Sequence, residues 1–251
     1  MDPIKFIKDL ELAPVPVTTA PGTRGGFQSA EIKSGEEQAF VNDRSLSSFA
    51  ANVSPKARQD VLDTTLLASM AAEKKYPNNS NPQKWYEFYT HVLSSIGWVK
   101  EQDENKTYTS GEAEFDIDQA VIEIMASVAG GPVVQAALIR KTLESLRGLA
   151  DDDGKIRLFE ARAKGIDTSH FQIGMTTEEN EAVSLHVSNF VFENIQGSHR
   201  VLFFRWGQDR AALNYQFFKA TLHQSQYADI RFLVKQKLGN RPAEFIGELD
   251  I

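Results

Sequence analysis

Histidines are the first side chains to test for chemistry. The chain has five of them, at His91, His170, His186, His199 and His223. None belongs to the close pair of histidines on one helix that zinc enzymes use, so no metal ligands are predicted. His186 lies within a segment of alternating apolar residues, which favours a histidine on the polar side of a strand over a ligand.

Two charged turns bracket the most apolar segment in the second half of the chain. His199 and Arg200 precede this segment, and Asp209 and Arg210 follow it. These four residues are candidates for one polar rim, which would suit a hydrolase with a non-standard site. Ordinary turn charges are the favoured interpretation, because exposed ion pairs are common and stabilise little.

Other catalytic and ligand-binding motifs are not matched by the residue spacing of this sequence. The sequence lacks the G-x-S-x-G motif of serine hydrolases, and residues 22–26 match neither phosphate-binding glycine motif. Residues 151–154 resemble the start of a calcium loop, but the required glycine and glutamate are out of register. With no cysteine, thiol nucleophiles and thiolate metal sites are excluded. We therefore predict no catalytic residue, no metal and no cofactor, and we lean away from an enzyme.

Charge and length narrow the class of protein. A chain of 251 residues, 41% hydrophobic and 24% charged, can close one large core. Its 27 Lys and Arg residues against 34 Asp and Glu residues give a net charge of -7, which disfavours nucleic acid as a partner because phosphate binding requires a basic face. No basic start followed by an apolar run opens the chain, so we expect a soluble protein that is cytoplasmic or exported without a classical signal peptide.

A helical hairpin at 116–149 is the element around which the chain is organised. Apolar residues recur at helical spacing on both sides of residues 130–132, where Gly-Gly-Pro ends one helix and starts another. No charged residue lies between Ile124 and Ile139. A spanning helix requires about 20 apolar residues, so burial in a soluble core is favoured over membrane insertion. The insertion candidates are Ile124, Val128, Gly130, Gly131, Pro132, Val134 and Leu138.

The remaining patterns divide the chain into an arm and one domain. Prolines and glycines predict an extended N-terminal arm at 1–44, and 45–251 form a single α+β domain. Its helical part, 45–165, contains helical patterns at 45–51, 54–75 and 82–96 and a β-hairpin at 98–110. For 155–163 a short helix is favoured, with a strand as the alternative. Its sheet-rich part, 166–251, contains four alternating strands, at about 170–175, 183–192, 201–206 and 213–217, with a bulge near 188–189, then a helix at 225–238 and a terminal strand within 244–251.

The expected fold is therefore α+β, with N-terminal helices and the central hairpin packed on a mainly antiparallel C-terminal sheet, followed by a late C-terminal helix. This order of helices before a long-stranded sheet resembles that of Cyt-type cytolysins, in which helices cover a β-sheet. The resemblance concerns the order of elements alone, so it gives no residue of this chain a role.

Three functions remain open. The favoured one is a non-catalytic interaction or effector protein that binds a macromolecular partner, expected to be a protein, through its arm and sheet edge. The second is a membrane-active, toxin-like protein that acts on membrane lipid through the hairpin. The third is a hydrolase with a site near His199, Asp209 and Arg210. The oligomeric state is not specified by the sequence.

Overall fold

The computed structural model describes residues 2–15, 27, 31–109, 114–128, 133–193, 201–207 and 212–251, and in them the fold is α+β, as the sequence predicts. The helices are α1 (Pro3–Asp9), α2 (Pro55–Lys75), α3 (Pro82–Ser95), α4 (Ile117–Val128), α5 (Val133–Gly148), α6 (Gly154–Ala163), α7 (Gln224–Leu238) and α8 (Arg241–Phe245). The strands are β1 (Gln38–Asn42), β2 (Ser45–Phe49), β3 (Trp98–Thr109), β4 (Glu114–Asp116), β5 (Thr168–Glu179), β6 (Ala182–Glu193), β7 (Arg205–Gly207), β8 (Ala212–Leu222) and β9 (Ile246–Leu249).

Seven strands form one sheet in the order β3-β8-β6-β5-β2-β1-β9. Strands β2 and β5 are parallel, and the other neighbouring strands of this sheet pair antiparallel. Strand β9 lies at one edge, which confirms the predicted terminal strand, and β3 lies at the other. Strands β4 and β7 form a separate two-stranded sheet.

Helices cover both faces of the large sheet. Helices α1, α2, α3 and α7 pack on what we call the front face, where they contact side chains such as Phe49, Leu185 and Phe218. Helices α4, α5 and α6 pack on the back face, against side chains such as Leu46 and Phe171. Successive residues of a central strand therefore enter two different apolar layers, so these strands are apolar on both sides.

Local sequence sets the ends of the helices. Ser54 caps α2 by accepting a hydrogen bond from a backbone N–H of the first turn, and Pro55 occupies the first helical position. Asn81 caps α3 in the same way, and Pro82 occupies its first helical position. Gly239 ends α7 with a φ of 58°, a conformation that favours glycine.

The sheet begins earlier in the chain than the sequence predicts. The helical turns predicted at 45–51 are wrong, because β2 occupies these positions, and β1 lies within the segment predicted as the arm. Every residue of the two strands is buried, with Leu46 in the back layer and Phe49 in the front layer. Pairing and burial on both faces override the weak local preference of a short, serine-rich segment.

The N-terminal segment is partly helical. Residues 3–9 form α1, and Ile7 and Leu10 are buried in the front layer. Residues 16–26, which carry most of the Pro and Gly residues of the predicted arm, lie outside the described residues. The division into an arm at 1–44 and a domain at 45–251 stays a prediction.

Two further strand predictions are wrong. The predicted hairpin at 98–110 is one strand, β3, which pairs with β8 along its length apart from a bulge between Lys100 and Gln102. Asp103-Glu104-Asn105 resembles a turn because β3 is an edge strand that carries polar side chains. The predicted strand at 201–206 is reduced to β7, since residues 201–203 form bends.

The predicted bulge near 188–189 is also wrong, because β5 and β6 pair without a shift of register. Val187 lies in the front layer and Phe190 in the back layer. The apolar residues change from odd to even positions because the strand is buried on both faces. Asn189 therefore continues the front face of β6 as a polar residue.

Candidate functional site

The front face of the sheet changes character partway along its strands. On β6, apolar Leu185 and Val187 give way to Asn189, and on β8 apolar Phe218 gives way to Gln216. Val183, Leu185, Val187, Phe218, Ala220 and Leu222 form what we call the apolar half, which packs under the front helices. Asn105, Thr107, Asn189, Asn214 and Gln216 form what we call the polar half.

A row of polar side chains crosses six strands where the two halves meet. The strand register places Asn42, Ser45, Gln172, Asn189, Gln216 and Asn105 opposite one another in turn. Directly opposite residues share one face of a sheet. The Ser45 hydroxyl donates to Gln172 Oε1 over 2.8 Å, and the Asn189 amide donates to Gln216 Oε1 over 3.0 Å. The sheet is therefore polar at this level, with hydrogen bonds that join Ser45 to Gln172 and Asn189 to Gln216.

The polar half is the floor of an open groove of about 780 Å³. Strands β3, β8 and β6 supply the floor, and residues 80–83 at the start of α3 supply a wall. This volume falls within the range of small-ligand sites. Because β3 is an edge strand, the groove lies along a sheet edge, the part of the fold expected from the sequence to meet a partner.

Arg44 is the buried support behind this groove. It follows Asp43 in the turn between β1 and β2, and its side chain is 1% exposed. Its guanidinium bonds to Glu73 on α2 and to Asn79 in the loop between α2 and α3. It also lies over the ring of Trp85, 4.8 Å from the ring centroid. Buried charge is tolerated when it is paired and hydrogen-bonded in this way.

A chain of hydrogen bonds runs from Arg44 to the groove floor. Arg44 Nη1 lies 3.0 Å from His170 Nδ1, and because a guanidinium only donates, Nδ1 accepts and Nε2 carries the ring proton. His170 Nε2 then donates to Asn189 Oδ1. Asn189 Nδ2 donates in turn to Gln216 Oε1. Each amide is thereby fixed in one orientation, and Gln216 keeps its Nε2 as a donor for the groove.

The wall of the groove is attached to the same arginine. Glu73, which accepts from Arg44, also accepts from the Asn78 N–H over 3.0 Å. Asn79 accepts from Arg44 and donates to the carbonyl oxygen of Ala163 over 2.9 Å. Asn78 and Asn79 have φ values of 58° and 54°, in the left-handed region that asparagine visits more readily than most residues. Residues 80–83 follow directly, so floor and wall are held by one network.

The charges of this network balance. Burial by itself would raise the pKa of Asp43, but the guanidiniums of Arg162 and Arg44 outweigh burial and hold the pKa below its usual value. Arg162 bonds directly to Asp43, and Glu73 bonds to Arg44. Burial lowers the pKa of Arg44, yet an arginine stays charged in proteins. Two cations therefore face two anions, and no net charge is buried.

Among the described residues, two buried histidines, His170 and His186, are unprotonated at neutral pH. Burial, together with the charge of Arg44, lowers the pKa of His170 to about 3. His186, expected on the polar side of a strand, is 7% exposed on β6, and burial lowers its pKa to about 4. Both ring nitrogens of His170 are engaged by Arg44 and Asn189, so this residue positions the amides and is not free to transfer protons.

The membrane-insertion candidates that the structure describes lie in helices α4 and α5. Helices α4 and α5 confirm the predicted helical hairpin. Ile124 and Leu138 are 2% exposed, Val128 is half-buried, and Val134 lies in α5. Gly130, Gly131 and Pro132 lie outside the described residues. Among the helices described, none combines the length and the apolar character needed to cross a membrane.

The polar-rim candidates His199, Arg200, Asp209 and Arg210 also lie outside the described residues. Their grouping stays a prediction. In the part of the chain that is described, no group of three or more His, Asp and Glu side chains is placed to hold a metal ion.

The groove and the buried Arg44 behind it were not predicted from the sequence. One signal for it was present, because the residues facing the front change from apolar to amide at Asn189 on β6 and at Gln216 on β8. The register that joins these residues to Arg44 spans most of the chain, and the alternation of single strands does not specify it.

Comparisons with known proteins place this chain in no family. No family model matches it, and no curated protein sequence matches it. The solved structure of the Evf virulence factor is 11% identical with a TM-score of 0.42, over 99% of this chain and 91% of that chain. A delta-endotoxin structure is 13% identical with a TM-score of 0.40, over 81% of this chain and 90% of that chain. At these scores neither likeness bears on the function of this chain.

Proposed function

We propose that the chain is a non-catalytic binding protein that holds a macromolecular partner in the groove over the polar half. The observation that carries the proposal is the hydrogen-bond chain from Arg44 through His170 and Asn189 to Gln216. It orients the floor amides before any partner arrives. Preorganised polar groups lose less entropy on binding and discriminate better between partners.

The chemistry of the lining favours binding over catalysis. Its polar side chains are mostly amides and hydroxyls, which donate and accept hydrogen bonds but do not exchange protons at neutral pH. His170 lies behind the floor and stays neutral, with both ring nitrogens engaged. The groove is therefore suited to hold a ligand and not to transform it.

The test follows side-chain amide signals by NMR in the full-length protein. Defined peptides and oligosaccharides are added, and the signals of Asn214 and Gln216 are recorded together with that of Gln226, an exposed amide on α7. We expect a binding partner to shift the two groove signals and to leave Gln226 in place. A ligand set that binds while the groove signals stay unchanged would contradict the proposal.

We propose membrane activity of the α4–α5 hairpin as a second candidate function, and polar contacts beneath the hairpin favour it. Ser48 on β2 and Thr142 on α5 share a hydrogen bond of 2.8 Å in the buried interface. The back face also buries the hydroxyl of Ser188. The sheet surface beneath the hairpin carries hydroxyl groups, so less apolar area meets water when the hairpin leaves it than if the surface were fully apolar. The free energy of releasing the hairpin is lower for that reason.

Liposome co-sedimentation and dye leakage test this second candidate, with and without acid or protease pretreatment of the full-length protein. Val128→Glu places a charge at a half-buried position of α4, whereas Ala126→Glu places the same charge at an exposed position of that helix. We expect the first change to abolish leakage and the second to preserve it. Absence of binding under every condition, or equal leakage by both variants, excludes the hairpin as a membrane element.

A further inference from the structure

The geometry points to a neutral oligosaccharide as the ligand of the groove, an assignment that rests on the proposed binding function. Sugar chains present many hydroxyl groups, each of which both donates and accepts, together with the apolar C–H faces of their rings. The groove offers the complement of both. Its amides lie on the floor, and apolar Val191 and Pro82 line it as well.

The lining carries little formal charge. Among the described residues that line the groove, Lys106 and Glu193 are the charged ones, and Lys106 is paired with Glu104 on the same strand. Recognition of phosphate or sulfate groups relies on basic side chains that form charge-assisted hydrogen bonds. A floor of neutral amides instead matches a ligand that has hydrogen-bonding groups without charge.

Two side-chain amides on β8 have N–H donors that remain for a ligand. Gln216 Oε1 is occupied by Asn189, and Asn214 Oδ1 accepts from Thr107 Oγ1 over 2.9 Å. Gln216 Nε2 and Asn214 Nδ2 have no partner among the described residues. The two residues are two positions apart on one strand, so their side chains leave the sheet about 7 Å apart on one face. They can therefore hold two separate parts of an extended chain.

Asn105 extends the same surface to the open edge. It lies opposite Gln216 on edge strand β3, and it is exposed. A bound peptide would be expected to add a strand at that edge and to place alternate side chains in apolar pockets. The next cross-strand pair on this face, Thr107 and Asn214, is also polar. Successive polar pairs favour a ligand that is polar along its whole length.

The experiment measures binding of neutral tetrasaccharides of glucose, mannose and N-acetylglucosamine to the full-length protein by NMR and calorimetry. A sulfated tetrasaccharide and an extended neutral peptide are the comparison ligands. We expect one neutral sugar to shift the Asn214 and Gln216 side-chain signals. Its affinity should change little between about 50 mM and about 500 mM salt, because the interaction involves no ion pair.

Gln216→Glu removes the Nε2 donor while keeping the shape of the side chain. We expect it to weaken sugar binding about tenfold, since a hydrogen bond is lost and a charge is introduced. Gln226→Glu on α7 is the matched control and should bind as the unmodified protein does. Circular dichroism checks the fold of each variant, and Asn214→Asp is the second variant if Gln216→Glu does not fold.

The outcomes separate the ligand class from the function. Groove signals that respond to the peptide or to the sulfated sugar alone would overturn the assignment to a neutral oligosaccharide and leave the proposed binding function standing. Groove signals that respond to no ligand, while binding occurs elsewhere, would overturn both. Equal loss of affinity in Gln216→Glu and Gln226→Glu would also count against the groove as the sugar site.

Discussion

The two halves of the front face use the same strands for opposite purposes. In the apolar half, side chains such as Leu185 and Phe218 are buried under the front helices and contribute to stability through the hydrophobic effect. In the polar half, Asn189 and Gln216 face the same side of the sheet. They form oriented hydrogen bonds that are linked through His170 to Arg44. The difference shows that one stretch of sheet can supply both a core and a preorganised site.

The largest expected effect comes from removing the buried support. Arg44→Met leaves Glu73 without its guanidinium partner, whereas Asp43 keeps Arg162, so we expect the free energy of unfolding to fall by about 3–5 kcal/mol. Urea unfolding measures this loss. Arg157→Met, at an exposed position of α6, is the control and should change stability by less than about 0.5 kcal/mol. Similar values for the two variants would mean that the network is not a structural support.

A pair of substitutions contrasts the two halves directly. Leu185→Ala opens a cavity in the apolar half and should cost about 3 kcal/mol of unfolding free energy. Gln216→Ala should cost less than about 1 kcal/mol, because water in the groove can replace its bond to Asn189. Ligand binding should show the reverse order, with the larger loss in Gln216→Ala. A large loss of stability in Gln216→Ala would argue that the polar half is core and not a site.

Acid should weaken the polar half through His170. The folded pKa of about 3 lies below the ordinary value of 6.5, so between these values the unfolded chain binds a proton that the folded chain does not. The contribution of this residue is complete above pH 6.5 and is lost as the pH falls, by about 1.4 kcal/mol per pH unit. His170→Gln should reduce the pH dependence of the unfolding free energy between pH 6.5 and pH 5 by about 1.4 kcal/mol per pH unit. His223→Gln, which removes a histidine from an exposed site, is the matched control.

A modest gain of stability is predicted in the helical layer above the apolar half. Burial raises the pKa of Asp63 on α2 to about 6, although a hydrogen bond from Gln59 opposes this rise. Stability from this residue is present at low pH and is lost as the pH rises through about 6. Asp63→Asn should therefore raise the unfolding free energy at pH 8 by about 1–2 kcal/mol and change it little at pH 4. Destabilisation at pH 8 would show that the carboxylate has a favourable role.

The elements that could be predicted are those specified by neighbouring residues. Ser54-Pro55 and Asn81-Pro82 start α2 and α3, and Gly239 ends α7, because caps act within one turn of helix. The alternation that begins at His170 gives strands β5 and β6. Local patterns did not predict β2 or the continuous strand through the middle of β3, because pairing with distant strands overrides local preference there.

The sequence by itself determined the α+β class, most helices, the central hairpin and the absence of thiol chemistry, since each depends on composition or on residues a few positions apart. Tertiary structure alone decided the groove. Asn42, Gln172, Asn189 and Gln216 belong to four strands, and the sheet register places them in one row. Arg44 and His170, 126 positions apart, touch because β2 and β5 are parallel neighbours. Register depends on the packing of both faces at once, which no local pattern contains.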